Sequence, residues 1–268
     1  MRPVFQMRAA FGALCALAAL AALAFAPGAS AKPWEEIKTA GEISVCANPN
    51  ALPYASDKDG TPGFQIEIAR AIAVRLGVRL RVAWIVPRVR AGLVDCDMLM
   101  DTILVPGVQP PSIRLSAPYQ LSGVSLAFAR GRETVKAYRE LKHGTRVGIL
   151  HNSLASLIVS RTPATMVPFG FEDDMLKAVA GGEVDACAVS AAAAEYFNLK
   201  NPDRSVNVVH AEDAEPELRW AVAVGMRRAD DALVQTVNRV LSALLADGTI
   251  PAIYARYGVT HREVPSGR

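Results

Sequence analysis

The sequence lacks the motifs of the common enzyme classes. It contains no GxSxG, HExxH, GxGxxG or Walker motif, and its 4 histidines are scattered along the chain. These absences argue against serine hydrolases, zinc proteases and nucleotide-binding enzymes. We therefore expect a protein that binds rather than catalyses, and one that needs no cofactor.

Cysteine is also scarce. The chain has 4 cysteines, and Cys15 lies in the apolar N-terminal run. The other three, Cys46, Cys96 and Cys187, show no CxxC spacing, so neither a metal or redox site nor a dense disulfide framework is indicated.

No excess of one charge is present. The chain has 29 basic and 26 acidic residues, and two of the basic ones, Arg2 and Arg8, lie among the first 31 residues. The remainder is nearly neutral and offers no basic surface. Nucleic acid is therefore not an expected partner.

The N-terminus carries the one long apolar run. Arg2 and Arg8 precede an apolar stretch over 9–26, and the segment Ala29-Ser30-Ala31 follows it. A basic start, an apolar middle and a small-residue end are typical of a secretory signal peptide. An uncleaved anchor helix would need roughly 20 apolar residues, slightly more than the stretch over 9–26 provides. We predict a signal peptide over 1–31, cleavage before Lys32 and a location in the periplasm.

Strand and helix patterns alternate along the rest of the chain. Residues 42–47 have the composition of a buried strand, and a loop rich in Asn and Pro follows them. A helix begins at Gly63 and ends at Gly77, and alternating apolar residues over 78–84 predict another strand. A strand that leads through a long loop into a helix puts that loop at the carboxyl end of a parallel sheet. Open α/β folds bind ligands there.

The same pattern restarts after residue 143, and the chain exceeds the ~100–150 residues of one typical domain. Further strands are predicted over 98–103, 123–129, 146–150, 166–169, 184–189, 206–209 and 219–224, and further helices over 154–160, 172–180, 191–199, 233–244 and 249–257. Two βαβ systems, each with a loop at a strand's carboxyl end, predict two lobes that face one another.

The pairing of Cys46 with Cys96 is disfavoured by strand geometry. Cys46 lies near the end of the first strand, and Cys96 comes just before the third, its expected parallel neighbour. An offset of about three residues at ~3.3 Å each separates them by roughly 10 Å, which exceeds the ~7 Å limit for a disulfide. The oxidising compartment favours a bridge, but the geometry predicts three free thiols.

Several segments together resemble one family, the family 3 periplasmic solute-binding proteins, which are the amino-acid-type receptors of ABC importers. The matching segments are Gly63-Phe64-Gln65-Ile66-Glu67, Ala91-Gly92-Leu93-Val94-Asp95-Cys96-Asp97, Ser116-Ala117-Pro118-Tyr119, Gly181-Gly182-Glu183-Val184-Asp185-Ala186 and Asp247-Gly248-Thr249-Ile250-Pro251. The resemblance implies a two-lobed α/β fold of the Venus-flytrap type II, in which each lobe is a mainly parallel sheet flanked by helices.

The resemblance also implies how the chain divides. Lobe one would comprise 32–127 and 223–260, lobe two 128–222, and a flexible tail 261–268. The hinge would lie near Leu126–Arg130 and Ala221–Gly225.

A narrower branch of the family shows a closer likeness. The run Val45-Cys46-Ala47-Asn48-Pro49-Asn50-Ala51-Leu52-Pro53-Tyr54 is similar to binding-protein-like components encoded beside PQQ-dependent alcohol dehydrogenases of the methanol type. Members of that branch have a longer Trp-Pro-rich segment than Trp84-Ile85-Val86-Pro87-Arg88. The resemblance implies either a quinoprotein dehydrogenase or an ABC permease as partner, and a monomeric protein.

Two charged positions of the family's receptors are changed. Those receptors hold a ligand carboxylate with an Arg where this chain has Gln109, and a ligand ammonium with an Asp where it has Ser190. A buried zwitterion without either partner would lose much solvation free energy. An importer ligand would then be a small polar solute other than an ordinary amino acid. A lytic transglycosylase shares the receptor architecture, but it needs an appended catalytic domain that this chain is too short to hold.

Nine residues are candidates for ligand or partner contacts. They are Asn48, Asn50, Tyr54, Asp101, Thr102, His151, Asn152, Ser153 and Ser190. The alternative for the asparagines of the first loop is that they build the turn, and for Ser153 that it caps a helix. Asp101 and Thr102 end the third strand and would face the cleft, or else lie in a solvated loop. His151 and Asn152 precede a helix, whose free amides would favour an anion or a polar ligand.

Overall fold

A computed structural model describes residues 33–58, 60–85, 96–104 and 112–265. The helices are α1 Trp34–Ala40, α2 Phe64–Leu76, α3 Leu154–Val159, α4 Glu172–Gly181, α5 Ala191–Lys200, α6 Asp231–Ala246 and α7 Thr249–Arg256, and the strands are β1 Glu42–Ala47, β2 Asn50–Ala51, β3 Ala55–Ser56, β4 Arg79–Trp84, β5 Met98–Ile103, β6 Ile113–Leu115, β7 Gln120–Ala129, β8 Arg146–Leu150, β9 Thr165–Phe169, β10 Ala186–Ser190, β11 Val206–Val209 and β12 Arg219–Arg227. The predicted signal peptide, residues 86–95 and Gln109 lie outside the described residues. Within the described part, no helix is both long and apolar enough to span a bilayer.

The helices form on apolar residues that recur every three or four positions. Phe64, Ile68 and Ile72 lie on one face of α2 and are at most 2% exposed. Gly77 ends this helix with φ 71°, a left-handed conformation that glycine adopts without a Cβ clash. In α6, the side chain of Asp230 caps the helix by accepting a hydrogen bond from Leu233 N at 2.8 Å.

Ten strands form one curled sheet in the order β4-β1-β5-β12-β7-β10-β8-β9, with β11 paired to β7 and β6 to β12, while β2 and β3 form a separate two-stranded sheet. The outer strands β4-β1-β5 and β10-β8-β9 are parallel, as predicted. The two long central strands, β7 and β12, pair antiparallel with their neighbours. The two-lobed α/β class is therefore confirmed, with a mixed rather than purely parallel sheet.

Strand β7 is shared by the two lobes. Its residues Gln120–Gly123 pair with β12, and its residues from Val124 onward pair with β10 and β11. Distinct apolar cores lie on the two sides of the point where β7 changes its partner strands. In the first lobe, α1, α2, α6 and α7 pack on β1, β5 and β12. In the second lobe, two smaller clusters form where α3, α4 and α5 pack on β7, β8 and β10. We propose lobe boundaries at 123/124 and 218/219, a few residues before those predicted.

The prediction of free thiols at Cys46 and Cys96 is wrong. The two residues form a disulfide with a Cα–Cα distance of 5.6 Å. Leu99 does lie opposite Cys46 in the β1–β5 register, so the expected offset is correct. However, the chain bends at Asp97, which donates from its amide to Ser44 O at 3.1 Å. Because the backbone before β5 is not extended, Cys96 returns towards Cys46.

The start of the segment predicted as a tail, 261–268, is hydrogen-bonded to the first lobe. His261 Nε2 donates to Tyr119 O at 2.8 Å, and Arg262 O accepts from Leu121 N at 2.9 Å. One side-chain and one backbone hydrogen bond therefore attach the chain here to the start of β7 and the residue before it.

Candidate functional site

The loop after β1 folds back onto the start of α2. The carbonyls of Pro53 and Tyr54 accept from Phe64 N at 2.9 Å and Gln65 N at 3.0 Å. Gly63 allows this approach, because a Cβ there would lie 2.3 Å from the Tyr54 carbonyl oxygen. The loop is therefore held firmly, and it satisfies amides at the helix start that could otherwise bind an anion.

A cluster of four aromatic rings anchors this loop, through the ring of its own Tyr54. The Phe64 ring lies 5.0 Å from that of Tyr54 and 4.5 Å from that of Tyr254, centroid to centroid, and it also meets Tyr257 edge-on at 6.1 Å. Such tilted and edge-to-face arrangements are the favourable ones for aromatic pairs. The Tyr257 hydroxyl accepts from Gly63 N at 2.9 Å, which fixes the end of the loop.

Across the cleft, the end of β10 meets the start of α4. Ser190 N donates to Glu172 Oε1 at 2.7 Å, and the Ser190 hydroxyl donates to Glu172 Oε2 at 3.0 Å. Tyr54 of the opposite lobe lies near enough that Glu172 and Ser190 affect the pKa of its hydroxyl. Tyr54, Ser190 and Glu172 together form a polar chain at the carboxyl ends of the strands of the two lobes.

Burial changes the acidity of this group. Burial raises the pKa of the Glu172 carboxyl, against the opposing effect of its two hydrogen bonds from Ser190. Burial also raises the pKa of the Tyr54 hydroxyl, and the nearby charges of Glu172 and Asp101 raise it further. Desolvation raises the pKa of the Asp101 carboxyl as well. The residue as a whole is nevertheless exposed. The Glu172 and Asp101 carboxyls consequently hold a proton more readily than free carboxyls do.

A cavity of about 350 Å³ opens beside this polar chain, within the range of small-molecule sites. One wall is the loop after β1, and the other is formed by α4 and α5. Its lining residues are Pro49, Asn50, Leu52, Ser56, Lys58, Glu172, Asp173, Leu176, Ala193, Tyr196, Phe197, Lys200 and Asn201. The cavity therefore lies between the two lobes.

The structure brings four of the predicted residues to this cleft. Asn50 lines the cavity, Tyr54 and Ser190 form the polar chain, and Asp101 is close enough to raise the pKa of Tyr54. Asn48 instead builds the turn, because its side-chain oxygen accepts from Asn50 N at 3.0 Å.

The other four predicted residues do not line the cavity. Thr102 packs over Gly225 of β12, whose added Cβ would lie 2.3 Å from its hydroxyl. Ser153 caps α3 by accepting from Ser156 N at 3.1 Å, as its alternative interpretation stated. His151 and Asn152 are exposed, in the turn between β8 and α3.

Sequence reasoning missed Glu172. An acidic residue in the first turn of a helix is common because it interacts favourably with the helix dipole, so its position gave no signal of a cleft residue. The structure places its carboxylate against Ser190, which donates to it from both its amide and its hydroxyl.

Large apolar side chains are exposed around the mouth of this cleft. Phe171, directly before Glu172, is 72% exposed, and Leu52, which lines the cavity, is 37% exposed. Trp84 is 39% exposed and ends β4, the parallel neighbour of β1. All three residues belong to segments that border the cleft, so they are the candidates for contacts with a partner.

The fold and the inter-lobe cleft define a two-lobed binding protein. The chain belongs to the bacterial extracellular solute-binding proteins, family 3, whose model matches residues 43–260.

The individual proteins that this chain resembles share 28% of its residues or fewer. A membrane-bound lytic murein transglycosylase F of Ectopseudomonas mendocina is 28% identical over 268 residues, which cover 96% of this chain and 54% of the relative; the chain thus spans about half the length of that enzyme. The unliganded, open L-cystine solute receptor of Neisseria gonorrhoeae shares the fold with a TM-score of 0.69, 21% identity and coverage of 86% and 98%. The periplasmic binding protein XoxJ of Methylobacterium extorquens AM1 does so with a TM-score of 0.65, 21% identity and coverage of 83% and 100%.

Proposed function

We propose that this chain is a non-catalytic protein of the periplasm that assists a PQQ-dependent alcohol dehydrogenase of the methanol type. The observation that carries the proposal is the exposed apolar rim of Leu52, Trp84 and Phe171 around the mouth of the cleft. The resemblance of residues 45–54 to the dehydrogenase-associated branch supports the class of partner, and the fold shared with XoxJ is consistent with it.

The rim suits a protein better than a small solute. A receptor that closes over a solute needs polar groups inside the cleft, and it gains nothing from an aromatic ring that stays outside. Phe171 lies just ahead of α4, where it can enter a pocket of another protein. Buried aromatic anchors of this kind dominate the energetics of protein interfaces.

Replacing Phe171 by Asp tests the proposal. We expect Phe171→Asp to weaken binding to the purified dehydrogenase by about 2 kcal/mol, or roughly 30-fold in Kd, because an anchor is lost and a charge is desolvated. Biolayer interferometry with immobilised dehydrogenase measures this. The matched control is Val74→Asp, which changes an equally exposed side chain (69%) near the C-terminal end of α2, the end that does not contact the loop after β1. Wild-type protein that does not bind the dehydrogenase, or two variants that bind like wild type, would contradict the proposal.

A second candidate is a receptor for an ABC importer, and the position of Glu172 favours it. The carboxylate lines the cavity next to Ser190, where it can accept hydrogen bonds from a cationic or donor-rich solute. The same fold occurs in an L-cystine receptor. Under this candidate, the solute is small, polar and not an ordinary amino acid.

Glu172→Gln provides the test of that candidate. The substitution keeps the shape and an acceptor for Ser190 N but removes the negative charge. We expect a solute found by thermal-shift screening to bind the variant about 10- to 100-fold more weakly, as the loss of a charged hydrogen bond of ~1.5–3 kcal/mol implies. Asp174→Asn is the control, since Asp174 is an exposed residue of the same helix. Tight binding of one of the twenty amino acids, or equal affinity of both variants, would refute this assignment of the solute class.

A further inference from the structure

The segment after α7 joins both lobes beside the hinge. Its backbone belongs to the first lobe: Arg262 N donates to Gln120 Oε1 at 3.2 Å, and Arg262 O accepts from Leu121 N at 2.9 Å. Both partners lie in the part of β7 that pairs with β12. The segment therefore runs along the strand immediately before it enters the second lobe.

The Arg262 side chain reaches into the second lobe. Its Nη1 donates to Glu212 Oε1 at 2.8 Å, and its Nη2 donates to both carboxylate oxygens of Asp213 at 2.7 and 2.9 Å. Charge-assisted hydrogen bonds of this type, from one guanidinium to two carboxylates, are stronger than neutral ones. A second bond from the segment to the second lobe runs from Thr260 N to Glu195 Oε2 of α5, at 2.8 Å.

The carboxylate that Arg262 engages is fixed at the joint itself. Glu212 is 1% exposed, and its Oε2 accepts from Ser125 Oγ at 2.9 Å, while His210 Nδ1 lies 2.8 Å from its Oε1. Glu212 also packs on the crossing point of β7, because a Cβ added at Gly123 would lie 2.7 Å from its Cγ. A buried carboxylate that loses its cation is strongly destabilised.

We propose that residues 258–262 form a strap across the hinge and that Arg262 locks it by binding Glu212 and Asp213. When the lobes rotate apart about β7 and β12, the backbone of the strap stays with the first lobe. The carboxylates move with the second lobe, so opening beyond the spacing seen here must stretch or break the Arg262 contacts. The strap thereby limits how far the cleft opens to solute or partner.

Inter-lobe distance measurements test the strap. Spin labels at Arg70→Cys in α2 and Asp174→Cys in α4, both exposed positions, report the separation of the lobes by double electron–electron resonance. We expect Arg262→Gln to add a population at longer distances, and a chain that ends at Val259 to show a larger one. Arg161→Gln is the control, because it removes a solvent-exposed ion pair with Glu217 within the second lobe.

Residues 260–262 belong to none of the three apolar clusters, so both strap variants are expected to fold. Near-ultraviolet circular dichroism checks the folding of each variant. Distance distributions identical to wild type in both folded strap variants would overturn the proposal. Loss of folding in both would also overturn it, because the segment would then be required for the fold rather than for the range of opening.

Discussion

Loss of the Cys46–Cys96 disulfide is expected to lower the free energy of unfolding by about 4 kcal/mol, the value that chain entropy predicts for a closed loop of this size. The two cysteines are 50 residues apart, and the loop they close contains β2, β3, α2 and β4. The bridge also joins β1 to the bend before β5, so it ties together two strands of the first lobe. Urea denaturation of a Cys46→Ser, Cys96→Ser variant measures the change.

The control for this prediction is Cys187→Ala, which removes a buried thiol that forms no cross-link. Thiol counting on unfolded, unreduced mature protein should find one reactive cysteine, Cys187. A double serine variant as stable as wild type, or three reactive thiols in the unreduced chain, would disprove the pairing.

Phe64→Ala is expected to destabilise the first lobe by about 3–5 kcal/mol. The ring is 2% exposed and is surrounded by Tyr54, Tyr254 and Tyr257, so its removal leaves a cavity that these large rings cannot easily fill. The loop after β1 rests on the same rings. The variant should therefore also loosen the wall of the cleft that carries Asn50.

Phe171→Ala is the matched control for Phe64→Ala, because it removes the same side chain from a position that is 72% exposed. Its effect on the free energy of unfolding should stay within about 0.5 kcal/mol. Equal destabilisation by the two substitutions in chemical denaturation would show that the aromatic cluster does not support the lobe.

Local patterns in the sequence predicted most of the fold. Strands β1 and β11 have the predicted bounds, and α2 ends at Gly77 as predicted, because alternation, helical spacing and glycine stops depend on neighbouring residues. The short α1 and β6 were not predicted. The length of β7 was also underestimated, because its first residues form a strand through pairing with β12, a contact distant in the sequence.

The candidate site was predicted only in part, and for a related reason. Topology indicated Asn50 and Tyr54, because loops at the carboxyl ends of strands line the cleft, whereas Ser190 was indicated by the family resemblance. Glu172 could not be distinguished from an ordinary acidic residue of a first helical turn. The disulfide was missed because the bend at Asp97 depends on hydrogen bonds to Ser44 in another strand.

The most direct test of the proposed function is hydrogen–deuterium exchange on the mixture with the purified PQQ-dependent dehydrogenase. The proposal predicts slower exchange in peptides that cover 48–58 and 169–173, on the two sides of the mouth, and no change over 70–78, at the C-terminal end of α2. Protection confined to other surfaces, or none at dehydrogenase concentrations that saturate the interferometry signal, would contradict a role of the mouth as the docking surface.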